Sequence, residues 1–113
     1  MHELSVAMSL IALAESEAKK AESSRIISVN VMIGYRSGVD YESFKFMLDL
    51  AKKNTMLENA IIDFERVSGS GNCNSCNYNF PVSEQFVVCP QCSGISIEIT
   101  GGDELKIISM VVE

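Results

Sequence analysis

The sequence predicts an α+β domain: two helices packed on a small mixed β-sheet, with an inserted four-cysteine module. Three observations predict it. Apolar residues recur at three-and-four spacing over two stretches, about 3–23 and 40–54. Runs rich in β-branched residues lie between those stretches and close the chain. All four cysteines fall between the second and third of these runs.

The first helix runs from about Glu3 to Ser23, with Leu4, Ala7, Met8, Ile11, Ala14 and Ala18 on its apolar face. Glu15, Glu17, Lys19, Lys20 and Glu22 mark its solvated end. Arg25 to Ile33 reads as a strand stopped by Gly34. Asp40 is placed to cap a second helix that reaches about Asn54 and buries Phe44, Met47, Leu48 and Ala51. Ala60 to Val67 is a second strand. Ile95 to Ile99, the turn Thr100-Gly101-Gly102-Asp103 and Leu105 to Val112 read as a closing hairpin. This order assigns residues 1–67 and 96–113 to one α/β domain and 68–95 to the inserted module. Ser68-Gly69-Ser70-Gly71-Asn72 is a flexible lead-in, and Ser93-Gly94 leads out. Tyr78, Phe80, Phe86 and Val87 offer the module only a tiny core, so its folding should depend on a metal.

Composition narrows the function. A 113-residue chain that is 47% hydrophobic supports one real core. A net charge of −6 argues against nucleic acid, whose phosphates demand clustered cations. No apolar run approaches the ~18 residues of a membrane span. The apolar start follows His2-Glu3 rather than a basic region, so it reads as an amphipathic helix and not a signal peptide. A cytoplasmic protein with reduced thiols is expected.

The cysteines form two pairs, Cys73-Asn74-Ser75-Cys76 and Cys89-Pro90-Gln91-Cys92, twelve residues apart. Two such knuckles supply four sulfurs at tetrahedral corners, a closed structural site for zinc. Iron held as in rubredoxins, and two disulfides in an oxidising compartment, are the competing uses. A catalytic metal would need an open position, and no histidine lies near these cysteines.

The one histidine is His2. A bulky second residue disfavours removal of the initiator methionine, so the chain should begin Met1-His2-Glu3. The Met1 amine, the His2 amide nitrogen and the His2 imidazole can close two adjacent chelate rings on one ion. A planar nitrogen set suits Ni(II) or Cu(II) better than Zn(II). Glu3 also has the ordinary role of an acid at a helix N-terminus, worth ~0.3–1 kcal/mol. Asp40 has the ordinary role of an N-cap. No catalytic Ser/His/Asp set and no phosphate loop is present, so the chain reads as no enzyme.

With these motifs in order, the whole chain resembles the HypA/HybF family of nickel metallochaperones. The family opens Met-His-Glu before an apolar helix, as Met1-His2-Glu3-Leu4-Ser5-Val6-Ala7 does. It carries two such cysteine pairs with proline in the second, matching Cys89-Pro90-Gln91-Cys92-Ser93-Gly94. It closes with a Gly-x-Glu-Leu-x-Ile stretch, matching Gly102-Asp103-Glu104-Leu105-Lys106-Ile107. The resemblance implies Ni(II) as transient cargo for [NiFe]-hydrogenase maturation and Zn(II) as a structural ion. It implies a HypB-type GTPase and the hydrogenase large-subunit precursor as partners, with urease maturation served in some bacteria. A homodimer is compatible with it. By resemblance His2 is the essential nickel ligand, Glu3 and Asp40 lie at the same site, and Cys73, Cys76, Cys89 and Cys92 hold zinc. Some members carry histidines beside the cysteine pairs, and this chain has none. Asn77 stands where many members have glycine. Two other readings stay open on the residues alone: a zinc-ribbon adaptor with no second metal, and a rubredoxin-like iron electron carrier.

Overall fold

A computed structural model describes residues 2–113, as helix α1 (Glu3–Lys20), strand β1 (Ile26–Gly34), helix α2 (Tyr41–Ala51) and strands β2 (Ile61–Val67), β3 (Gly69–Cys73), β4 (Asn79–Val82), β5 (Ile97–Thr100) and β6 (Leu105–Val112). The strands form two three-stranded sheets, ordered β2-β1-β6 and β4-β3-β5. The chain divides into two compact units. One holds the chain up to Met32, Gly38–Glu65 and Lys106–Glu113; the other holds Ile33–Ser37 and Arg66–Leu105. The expected module of 68–95 lies inside the second unit, which reaches further at both ends.

The first unit is built as helical and strand periodicity dictate. α1 buries Ala7, Leu10, Ile11, Ala14 and Ala18, one stripe of a 3.6-residue helix. Leu4 and Met8, expected on that stripe, are 48% and 58% exposed. Leu4 lies in the open first turn, and Met8 sits about 100° round the helix from Ala7. α2 buries Phe44 and Leu48, and β1 buries Ile26, Val29 and Val31 within this unit. The Phe44 and Phe64 rings meet edge to face at 6.2 Å, and Tyr41 meets Phe64 at 5.5 Å. Glu15 is not simply solvated. It is half-buried and accepts the Met56 N–H at 3.0 Å, pinning the loop after α2 to α1.

The second unit departs most from expectation. β5 does not form a hairpin with β6; it pairs antiparallel with β3, Cys73 opposite Ile97. Gly101 and Gly102 have φ of +73° and +82°, and the Gly102 carbonyl accepts the Arg36 N–H at 2.8 Å. Those glycines thus serve a different turn. The supposed flexible lead-in is β3 itself, the central strand, with Gly71 opposite Phe80 on one side and Ile99 on the other. A Cβ on Gly71 would lie 2.7 Å from Val82 Cγ2 and 3.1 Å from Ile97 Cγ2. Low strand propensity at Gly71 is therefore overridden by the space that its neighbours need. Tyr78 and Phe80 stack at 6.0 Å and Val82 is buried, whereas Phe86, expected in this core, is 93% exposed.

No helix among the described residues is long and apolar enough to cross a membrane.

Phe44 is fully buried and meets Phe64 edge to face. Phe44→Ala should cost about 3–5 kcal/mol of unfolding free energy. Urea unfolding followed by helical circular dichroism measures it, and metal content at the cysteines should not change.

Candidate metal centre

Two turns of the second unit carry the four sulfurs, and their hydrogen bonds repeat. In the first, the Cys73 N–H donates to the Tyr78 carbonyl at 3.0 Å and the Asn77 N–H to the Cys73 carbonyl at 2.8 Å. In the second, the Cys89 N–H donates to the Gly94 carbonyl at 2.8 Å and the Ser93 N–H to the Cys89 carbonyl at 2.9 Å. The residue after each pair is left-handed, Asn77 at φ 64° and Ser93 at φ 63°. That handedness turns the chain so that both sulfurs of a pair face one point. Asparagine tolerates it better than most side chains, which explains Asn77 where glycine would serve.

The four Sγ atoms lie within 4.8 Å of one another. Cys73 and Cys92 approach to 3.6 Å, as do Cys76 and Cys89. A disulfide needs about 2.05 Å, so these are free thiols facing a common centre. Metal–sulfur bonds of about 2.3 Å at tetrahedral angles set sulfurs roughly 3.8 Å apart. The donor set fits one tetrahedral metal ion. Backbone N–H groups point at the sulfurs: Gln91 to Cys89 at 3.4 Å, Cys92 to Cys89 at 3.5 Å and Gly94 to Cys92 at 3.4 Å. They disperse the negative charge of a tetrathiolate. The same effect acts on Cys73, whose thiol the Cys76 N–H brings down to about 6, while burial pushes Cys76 up to about 12. A divalent cation among them favours the thiolate form of all four sulfurs together.

The other predicted site lies at the start of α1. The Met1 amine falls outside the described residues. His2 is exposed and occupies the N-cap position of α1; its side chain makes no cap bond, and its carbonyl accepts the Val6 N–H at 2.9 Å. The Glu3 carboxylate accepts the Asp40 N–H at 3.2 Å. Asp40 in turn caps α2, its Oδ2 accepting the Ser43 N–H at 2.9 Å. Glu3 and Asp40 are thus joined across 37 positions of sequence. Sequence reasoning named both residues, and the family resemblance put them at one site, but neither gave this bond.

Asn77→Gly should leave metal retention unchanged. Asn77→Val, a β-branched residue forced left-handed, should cost about 1–3 kcal/mol and release metal faster to a chelator. Colorimetric chelator competition compares the two.

The Ser43 N–H also holds the Asp40 carboxyl below its ordinary value of 3.8. A lowered folded-state value stabilises the fold above pH 3.8, and that contribution disappears as pH falls through the lower folded value. Asp40→Asn keeps a capping oxygen but loses this titration. The urea midpoints of the helical signal should therefore differ at neutral pH and converge at the acid end.

The family model described as "Hydrogenase/urease nickel incorporation, metallochaperone, hypA" matches residues 1–112. A hydrogenase maturation factor HypA from Geotalea daltonii is 38% identical over 112 residues, covering 99% of each chain. One from Methylocella silvestris is 35% identical over the full length of both. The solution structure of the Ni metallochaperone HypA from Helicobacter pylori superposes with a TM-score of 0.68 at 32% identity, covering 99% of this chain and 97% of that one. On sequence, fold and clustered cysteines together, this chain belongs to the HypA family of metallochaperones and is not an enzyme.

Proposed function

We propose that the protein binds Ni(II) at its amino terminus and delivers it for [NiFe]-hydrogenase maturation, while zinc fills the four-sulfur centre. Three nitrogens carry the nickel: the Met1 amine, the His2 amide and the His2 imidazole, with an Asp40 oxygen at the fourth corner of a plane. The amide of an N-cap residue makes no intrahelical bond, so a metal can displace its proton without breaking α1. Helix N-termini repel cations. The carboxylates of Glu3 and Asp40 offset that repulsion, and the bond from Asp40 N–H to Glu3 is the observation that carries this reading. Glu3 acts as a positioning residue that tethers the cap of α2 to the first turn of α1.

Zinc is the most available tetrahedral ion for four thiolates. The chain has no phosphate loop, so energy for delivery comes from a partner, a HypB-type GTPase. The recipient is the hydrogenase large-subunit precursor. Reduced thiols suit the cytoplasm. Membership in the family favours this reading over a zinc-ribbon adaptor or a rubredoxin-like iron carrier.

The test is covalent. A short extension before Met1 converts the amine into a peptide nitrogen and leaves the His2 side chain intact. Both that extension and His2→Ala should abolish the planar, low-spin nickel spectrum and weaken nickel affinity by at least about 10-fold, with zinc content unchanged. Affinity should also fall on acidification, since protons compete for the nitrogens. Calorimetric titration with absorption spectra decides it. Equal affinity and an unchanged spectrum in the extended chain would remove the amine from the site.

A further inference from the structure

A closed four-sulfur shell shields its metal from new ligands, but the sulfurs keep their lone pairs, and one edge of this cluster is uncovered. Cys73 and Cys89 are buried, Cys76 is half-buried and Cys92 is exposed. Cys89 Sγ accepts the Gln91 and Cys92 N–H groups, while Cys92 Sγ accepts the Gly94 N–H. Gly94 leaves the edge open. A Cβ there would lie 3.2 Å from Cys92 Sγ, 3.3 Å from Ser75 Oγ and 3.5 Å from Cys73 Sγ. Two sulfurs and a hydroxyl therefore border a gap where most residues would place a carbon. The Gly94 backbone is not left-handed, so its conformation does not demand glycine. In the first knuckle the equivalent position, marked by the same carbonyl accepting from the first cysteine, is Tyr78. The two knuckles match in backbone and differ in cover.

Thiolates bound to a metal remain nucleophiles, and oxidation selects the accessible one. We propose that the Cys92–Cys73 edge is an oxidation site for hydrogen peroxide, which enters at Gly94 and drives release of the metal. This inference rests on the reading that the four thiolates hold zinc. The Cys92 thiolate takes one oxygen atom as the peroxide O–O bond breaks, giving a sulfenic acid and hydroxide. The Ser75 hydroxyl borders the same gap and donates a hydrogen bond to the departing oxygen. The Cys73 thiolate then attacks the Cys92 sulfur, forming the S–S bond and expelling a second hydroxide. Two electrons pass from the sulfurs to one peroxide. The two sulfurs close from 3.6 Å to about 2.05 Å. Two sulfurs alone do not retain the ion. Cys76 and Cys89, also 3.6 Å apart, consume a second peroxide in the same way. The chain between β4 and β5 forms no strand, but each disulfide joins one knuckle to the other. Thiol reduction with added zinc therefore restores the site.

Zinc content of the reduced full chain is measured first. Absence of stoichiometric zinc would overturn the zinc reading and this inference with it; zinc present but inert to peroxide would overturn this inference alone. Hydrogen peroxide is then added, and released zinc is followed with a colorimetric chelator. Dimedone should label Cys92 first, and peptide mass mapping should find Cys73 joined to Cys92, with one peroxide consumed per disulfide. Gly94→Ala and Ser75→Ala replace no sulfur and should keep zinc. Each should slow peroxide-driven release at least about 5-fold. Release to the chelator without peroxide should not be slowed, which separates cover of the sulfurs from tighter metal binding. Ser75→Ala carries this comparison if the added methyl group at Gly94 strains the site and loosens zinc. A first disulfide within one knuckle, Cys73 to Cys76 or Cys89 to Cys92, would overturn the proposal. So would a release rate that neither substitution changes.

Discussion

Four sulfurs within 4.8 Å of one another repel as thiolates unless a cation lies among them. The second unit is arranged around that constraint. Its strands are short, four or five residues in β3, β4 and β5, and its aromatic contact is a single stacked pair. Apolar burial of that size does not fix a unit. The cysteines supply what it lacks: Cys73 ends β3 opposite Ile97, so a metal at the sulfurs ties the central strand to both knuckles. The matched turns at Asn77 and Ser93 aim both sulfurs of each pair at one point.

The first unit rests on ordinary burial, and the residues proposed to bind nickel are placed by helix ends. α1 begins directly after His2, and α2 begins directly after Asp40. The bond from Asp40 N–H to Glu3 ties these two starts together. Fixing the first turn of α1 also holds His2, its N-cap residue.

Much of this was legible in the sequence, and the failures share one cause. Helices, β1, β2 and the cap at Asp40 follow from local periodicity and local hydrogen bonds, so α1, α2 and the cysteine turns were read within a few residues. Strand partnership is not local. Ile95 to Ile99 alternates as a strand should, but nothing in that alternation says it pairs with β3 rather than β6. Gly69 and Gly71 look like a linker by propensity; they are glycines because Val82, Ile97 and Tyr35 crowd them. Phe86 was expected inside because aromatic residues usually are, and its exposure is visible only in three dimensions. The Glu3–Asp40 bond spans 37 positions and leaves no mark on either segment's pattern.

Two donor sets of opposite character, the four sulfurs and the nitrogens proposed around His2, would let one small chain hold one ion and hand over another. Four sulfurs with amide N–H groups behind them make a closed shell, and no coordination position is left for an entering group. Ligand exchange there requires breaking a metal–sulfur bond first. The set proposed around His2 is planar, exposed and built on the chain's end. An incoming ligand can approach such a plane from either face. Protonating the amine or the imidazole removes a corner without disturbing α1, whose ladder begins with the His2 carbonyl accepting from Val6. Soft, buried sulfurs favour retention; a few exposed nitrogens favour release. On the proposed assignment, ligand chemistry alone keeps a cargo ion and a structural ion apart, without any need for one site to recognise both.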